Sequence, residues 1–162
     1  MLKPREGLVT HYRWSYSKSF MACMPHFTAD EKAKVADFIV TYQDHGLKDF
    51  SLYPGKISRT GSGDCTDEER EYALRHNLWH YHVGIPTYVQ SPSGKYMTSR
   101  DVLHFQWFQD ENRIRLVDMY RHYLYDGKFY VPAEKAFEPT VPEVIRGATE
   151  ANDDESDVPE AG

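Results

Sequence analysis

Apolar positions divide the chain into a helical first half and a strand-rich second half. Val35, Phe38, Ile39 and Tyr42 recur at helical spacing, which places them on one face of a helix. Thr28 with Glu31 three residues on is a capping signature and Gly46 a stop, so a helix is expected over Ala29–His45. Thr66 followed by Asp67, Glu68 and Glu69 predicts a second helix ending near Arg75, because acids suit the positive end of a helix dipole. From Leu78 the period changes to two. Leu78, His80, His82 and Gly84 then fall on one face of a strand, and Trp79, Tyr81, Val83 and Ile85 on the other. Pro86 and the turn residues 91–94 interrupt this run. Strands over 102–108 and 114–120 follow, joined by Gln109-Asp110-Glu111-Asn112, and 129–131 reads as a short closing strand.

This order predicts an α+β fold in which N-terminal helices pack on one face of a curved antiparallel β-sheet, leaving the other face as a working surface. Residues 1–24 read as irregular, 25–131 as the folded domain, and 132–162 as an extended arm with an acidic tail. In that tail Pro139 and Pro142 precede a polar, disordered end. A chain of 162 residues fits one domain.

Charge and composition narrow the partners. Glu150, Asp153, Asp154, Glu155, Asp157 and Glu160 account for the whole net charge of −6, so residues 1–149 are neutral with histidines uncounted. Such a body can hold a phosphate locally, but tight binding of bulk RNA needs many phosphate contacts, hence a second source of affinity such as the ribosome. Cys23 and Cys65 are too few for a disulfide framework. No apolar run approaches the roughly 20 residues of a membrane span, and the first residues do not read as a signal peptide. A cytoplasmic protein without a membrane partner is expected.

The candidate chemistry centres on histidine. His80 and His82 share a strand face, and His104 and His122 on neighbouring strands can converge on them. Three readings stand side by side. The rings can fill sheet positions and hydrogen-bond locally. They can ligate a metal, although the strands offer only Asp101 and Asp118 as carboxylates, and the glutamate expected after a cupin-type His-x-His is absent. Or they can do acid–base work on a phosphodiester. The last gains from Lys56, Arg59, Arg100, Arg115 and Arg121 as phosphate-binding groups. Tyr81, Tyr120 and Tyr123 are candidate stacking rings for bases. No metal and no other cofactor is expected.

The stretch from Gly46 through Lys56, then Leu78-Trp79-His80-Tyr81-His82-Val83-Gly84, then Thr98-Ser99-Arg100-Asp101-Val102-Leu103-His104-Phe105, then Ile114-Arg115-Leu116-Val117-Asp118 and His122, resembles RelE-superfamily toxins. Within these it is most similar to the YafO group, over roughly residues 25–131. The resemblance implies a RelE-like fold and a type II toxin–antitoxin mRNA interferase. Such a toxin cleaves mRNA on the ribosome by metal-independent catalysis and is silenced by a cognate antitoxin protein. It carries the catalytic roles to His80, His82, Arg115, Arg121 and His122. The neutral body and acidic tail depart from the strongly basic pattern common in such toxins. The rival reading is a non-catalytic binding module using the aromatic-rich sheet face.

Overall fold

Thr28 and Thr66 each accept a hydrogen bond from the amide three residues on, and each opens a helix. Both helices run as the sequence predicts, in a computed structural model that describes residues 11–63 and 65–140. The acidic residues from Glu150 onward, Pro142 and Asp64 lie outside the described residues. In chain order the elements are β1 (Arg13–Tyr16), α1 (Lys18–Cys23), α2 (Ala29–His45), β2 (Ile57–Arg59) and α3 (Asp67–Arg75). They continue with β3 (Leu78–Ile85), β4 (Val89–Gln90), β5 (Met97–Thr98), β6 (Asp101–Phe108) and β7 (Arg113–Arg121).

The main sheet has the order β1-β7-β6-β3-β2. Strands β2, β3, β6 and β7 are antiparallel, whereas β1 joins β7 in parallel, Trp14 opposite Ile114. The sheet is therefore mixed, which corrects the expectation of a purely antiparallel one. Residues 13–23 are not irregular either. Ser17 caps α1 through the Phe20 amide and donates its hydroxyl to the Val117 carbonyl, locking that corner onto β7. Residues 129–131 add no strand; Phe129 makes only an isolated bridge to Tyr123.

The face of the sheet carrying Tyr81, Leu103 and Phe105 packs on α2. Phe38 stacks on Tyr81 at 4.9 Å and tilts against Phe105 at 5.5 Å. Val35, Phe38, Ile39 and Tyr42 form the buried stripe of α2, and each such side chain contributes about 1.5–3 kcal/mol on leaving water.

The opposite face is only partly free. Ala73 of α3, Leu78, Val117 and Phe137 of the short helical turn 134–137 close one end with a second small core. Tyr72 donates to the Pro132 carbonyl, so the arm after 131 returns over the sheet in its described part. What remains open is the corner beyond the β3 histidines.

Candidate functional site

Strand alternation assembles this corner. His80 lies opposite His104 and Ser58, and His82 opposite Val102, so all of these share one face. Asp118 and Tyr120 of β7 lie opposite His104 and Val102. His122, one residue past β7, returns to the same face, and its amide is held by the Arg100 carbonyl at 2.9 Å. Val102 is small and fully buried, so the His122 ring can lean over it towards β3.

The three rings meet. Ring centroids lie 5.6 Å apart for His80 and His82, 4.8 Å for His80 and His122, and 5.2 Å for His82 and His122. One nitrogen from each falls within 4.8 Å of the other two. Thr60 Oγ1 bonds to His80 Nδ1 at 3.1 Å, and the Ser99 backbone meets His82 Nδ1 at 3.0 Å. Ser99 is itself fixed, accepting from the Gly84 amide and donating to the Asp101 carbonyl. His122 Nδ1 is buried with no hydrogen-bond partner among the described residues.

Burial first, then the other imidazoles and Lys56, hold His80 well below the ordinary histidine range. Burial lowers His82 to about 4 against the raising effect of its Ser99 bond, and burial also lowers His122. All three rings are thus neutral at pH 7, the form that accepts a proton or a metal. His104 stands behind His80 at 6.0 Å, fully buried, both nitrogens unpartnered among the described residues. Burial, then His122 and His82, lower it to about 3.

A pocket of about 140 Å³ opens over the cluster, lined by His80, His82, His122, Lys56, Arg59 and Tyr123 together with Ser58, Phe129 and the 61–63 turn. A larger cavity of about 750 Å³ adjoins it, holding Phe50, Trp79 and Tyr96. Both share Lys56, Ser58, Arg59 and Ser62, so the edge strand β2 is the ridge between them. Lys56 Nζ stands 5.1 Å over the Tyr96 ring and the Arg59 guanidinium 5.2 Å over Trp79.

Six of the expected residues therefore gather at one place, and five do not. Arg115 is buried, donating to Gln106 Oε1 and to the Phe137 carbonyl, so it braces the second core rather than facing the pocket. Arg121 lies opposite Asp101, and alternation sends it to the other sheet face, over the Tyr125 ring. Arg100 is spent on a twin bond to Asp101. Tyr81 is core, its hydroxyl bonded to Tyr88, and Tyr120 packs on Tyr130 outside the pocket.

The supporting residues Thr60, Ser58 and Phe129 carry no local signal. Ser99 lies in the stretch Thr98-Ser99-Arg100-Asp101, but its contact with His82 is not legible in the sequence. The third imidazole that a metal site requires is supplied by His122, so the lack of a carboxylate does not by itself disqualify the donor set. No protein-family model, no curated protein and no solved structure matches the chain. No helix among the described residues is long and apolar enough to cross a membrane.

Proposed function

We propose that the chain is a RelE-like, YafO-type endoribonuclease that cuts mRNA at the histidine pocket by metal-independent acid–base catalysis. The observation that carries this reading is the meeting of three neutral imidazoles with Lys56 and Arg59 beside an aromatic cavity. A neutral imidazole can take the proton of a 2′-hydroxyl. As the 2′-oxygen bonds to phosphorus, charge grows on the phosphorane oxygens, and Lys56 and Arg59 are the cations lining that pocket. A second proton on rings about 5 Å apart is disfavoured by like-charge repulsion, so the cluster carries one proton at a time. That proton passes to the departing 5′-oxygen as its bond to phosphorus breaks, leaving a 2′,3′-cyclic phosphate and a 5′-hydroxyl.

Phe50, Trp79 and Tyr96 offer ring faces to unstacked bases across the β2 ridge. The neutral charge of residues 1–149 fits a protein that draws its RNA affinity from the ribosome. A cytoplasmic setting and a cognate antitoxin belong to the same proposal.

The test is inducible expression in a bacterial host, following growth and mapping mRNA 5′ ends. Arrest with new, translation-dependent ends is expected. His122→Ala abolishes them, a loss of at least about 100-fold for removing an acid–base group. Arg121→Ala retains them, because its side chain leaves the other face. Normal growth with intact messages, from confirmed soluble protein, overturns the proposal in favour of a binding module.

A further inference from the structure

The three histidines have a second property that acid–base chemistry does not require: they are arranged as a ligand set. His80 and His82 project from one strand two residues apart, and His122 closes the triangle from just beyond the end of β7. Their nitrogens lie within 4.8 Å of one another. A tetrahedral zinc ion with bonds of about 2.0–2.1 Å needs ligand nitrogens roughly 3.3 Å apart, a closure of at most about 1.5 Å from the 4.8 Å limit.

The outer contacts are those a metal site uses. His82 Nδ1 lies 3.0 Å from both the amide nitrogen and the carbonyl oxygen of Ser99. In the ligand tautomer it donates to the carbonyl, as His80 Nδ1–H donates to Thr60 Oγ1, which leaves each Nε2 as the donor atom for a metal. Thr60 is fully buried and Ser99 nearly so, so these partners are fixed rather than solvated. The 140 Å³ pocket leaves room for a fourth ligand. Three neutral donors leave the ion its full double charge, and Lys56 at the pocket wall adds to that field, so the fourth ligand is anionic: hydroxide or a phosphate oxygen.

We propose that His80, His82 and His122 bind one divalent transition-metal ion of the zinc class, with the fourth position open to the pocket beside Lys56. The binding stands on geometry alone. Its consequence rests on the proposed cleavage: the ion occupies the lone pairs that would take the 2′-hydroxyl proton, so zinc silences metal-independent cutting.

The experiment uses full-length protein purified without a nickel column, treated with chelator, and titrated with zinc chloride by calorimetry and by cobalt(II) absorption. One ion per chain is expected, with tetrahedral cobalt bands. His122→Ala and His82→Ala, each checked for a native circular dichroism spectrum, weaken binding at least tenfold. Thr60→Val weakens it about tenfold through the lost outer bond. His11→Ala and His45→Ala, away from the cluster, leave binding unchanged.

Should His82→Ala fail to fold, the less buried His122→Ala and His122→Gln carry the test. Sub-stoichiometric binding, or binding that survives in the His122 variants, overturns the site. Metal-free cleavage without zinc binding sinks the site and leaves the proposed function standing. Stoichiometric zinc binding with no RNA cleaved under any condition does the reverse.

Discussion

His104→Leu tests the account of the buried polar row across β3, β6 and β7. His104 is 1 % exposed and edge-on to Tyr130 at 5.3 Å, with neither ring nitrogen hydrogen-bonded among the described residues. A buried polar atom left unsatisfied costs on the order of 1–3 kcal/mol. Leucine has nearly the volume of histidine and no polar atom, so after some loss to imperfect fit the variant gains about 1 kcal/mol at pH 7. Acid enlarges the difference. The folded ring titrates at about 3, below the unfolded value of 6.5, so its contribution is fully present above pH 6.5 and is lost as pH falls. At pH 5 the unfolded ring has had about 1.5 pH units in which to take up protons, which removes about 2 kcal/mol from the wild type and nothing from the variant at this position. Urea melts at pH 7 and pH 5 read both numbers, since the comparison cancels the histidines outside the cluster. A variant less stable than wild type at pH 7, or a gap that does not widen at pH 5, overturns this expectation.

Two further substitutions probe the scaffold. At Gly55 an added Cβ would stand 1.8 Å from the His82 carbonyl oxygen, backbone that cannot step aside, so Gly55→Ala should cost about 3 kcal/mol, seen as a lowered melting temperature. Gly55→Ala melting like wild type would show that β3 is not fixed against this segment. Asp118 is held up at about 6 by burial against its Tyr130 hydrogen bond, so its stabilising contribution is full below about pH 4 and lost as pH rises through 6. Asp118→Asn keeps an acceptor for Tyr130 and cannot ionise, so at pH 8 it should exceed the wild type by about 3 kcal/mol in urea melts and approach it at pH 4.

The elements set by local pattern were legible: α2 from cap and stripe, α3 from Thr66 and the acids that follow it, β3 from its alternation, the β6–β7 hairpin from its turn. What was illegible depends on partners far along the chain. Arg13-Trp14-Ser15-Tyr16 alternates polar and aromatic residues, but over too short a run to mark a strand, and it becomes β1 because β7 lies beside it. Ile57–Arg59 is too short for periodicity to register, yet this edge strand is the ridge of the site. Alternation brought His80, His82 and His122 together correctly, since parity of position is a local property. It could equally have placed Arg121 on the far face. The fate of Arg115 was out of reach, because its brace, the Phe137 carbonyl, lies 22 residues away on an arm with no strand or long helix.

The parallel seam between β1 and β7 joins residues 100 apart in sequence. Closing a loop of that length costs about 4 kcal/mol of chain entropy, recovered only when both edges exist. During synthesis β1 emerges first and waits unpaired while every other strand of the sheet is made. His122 follows β7 directly, so the third imidazole reaches the other two only when this seam can close. The chain is thus made in an order that completes the cluster last: a nascent polypeptide carrying His80 and His82 lacks the third imidazole until the final strand of the sheet has been made.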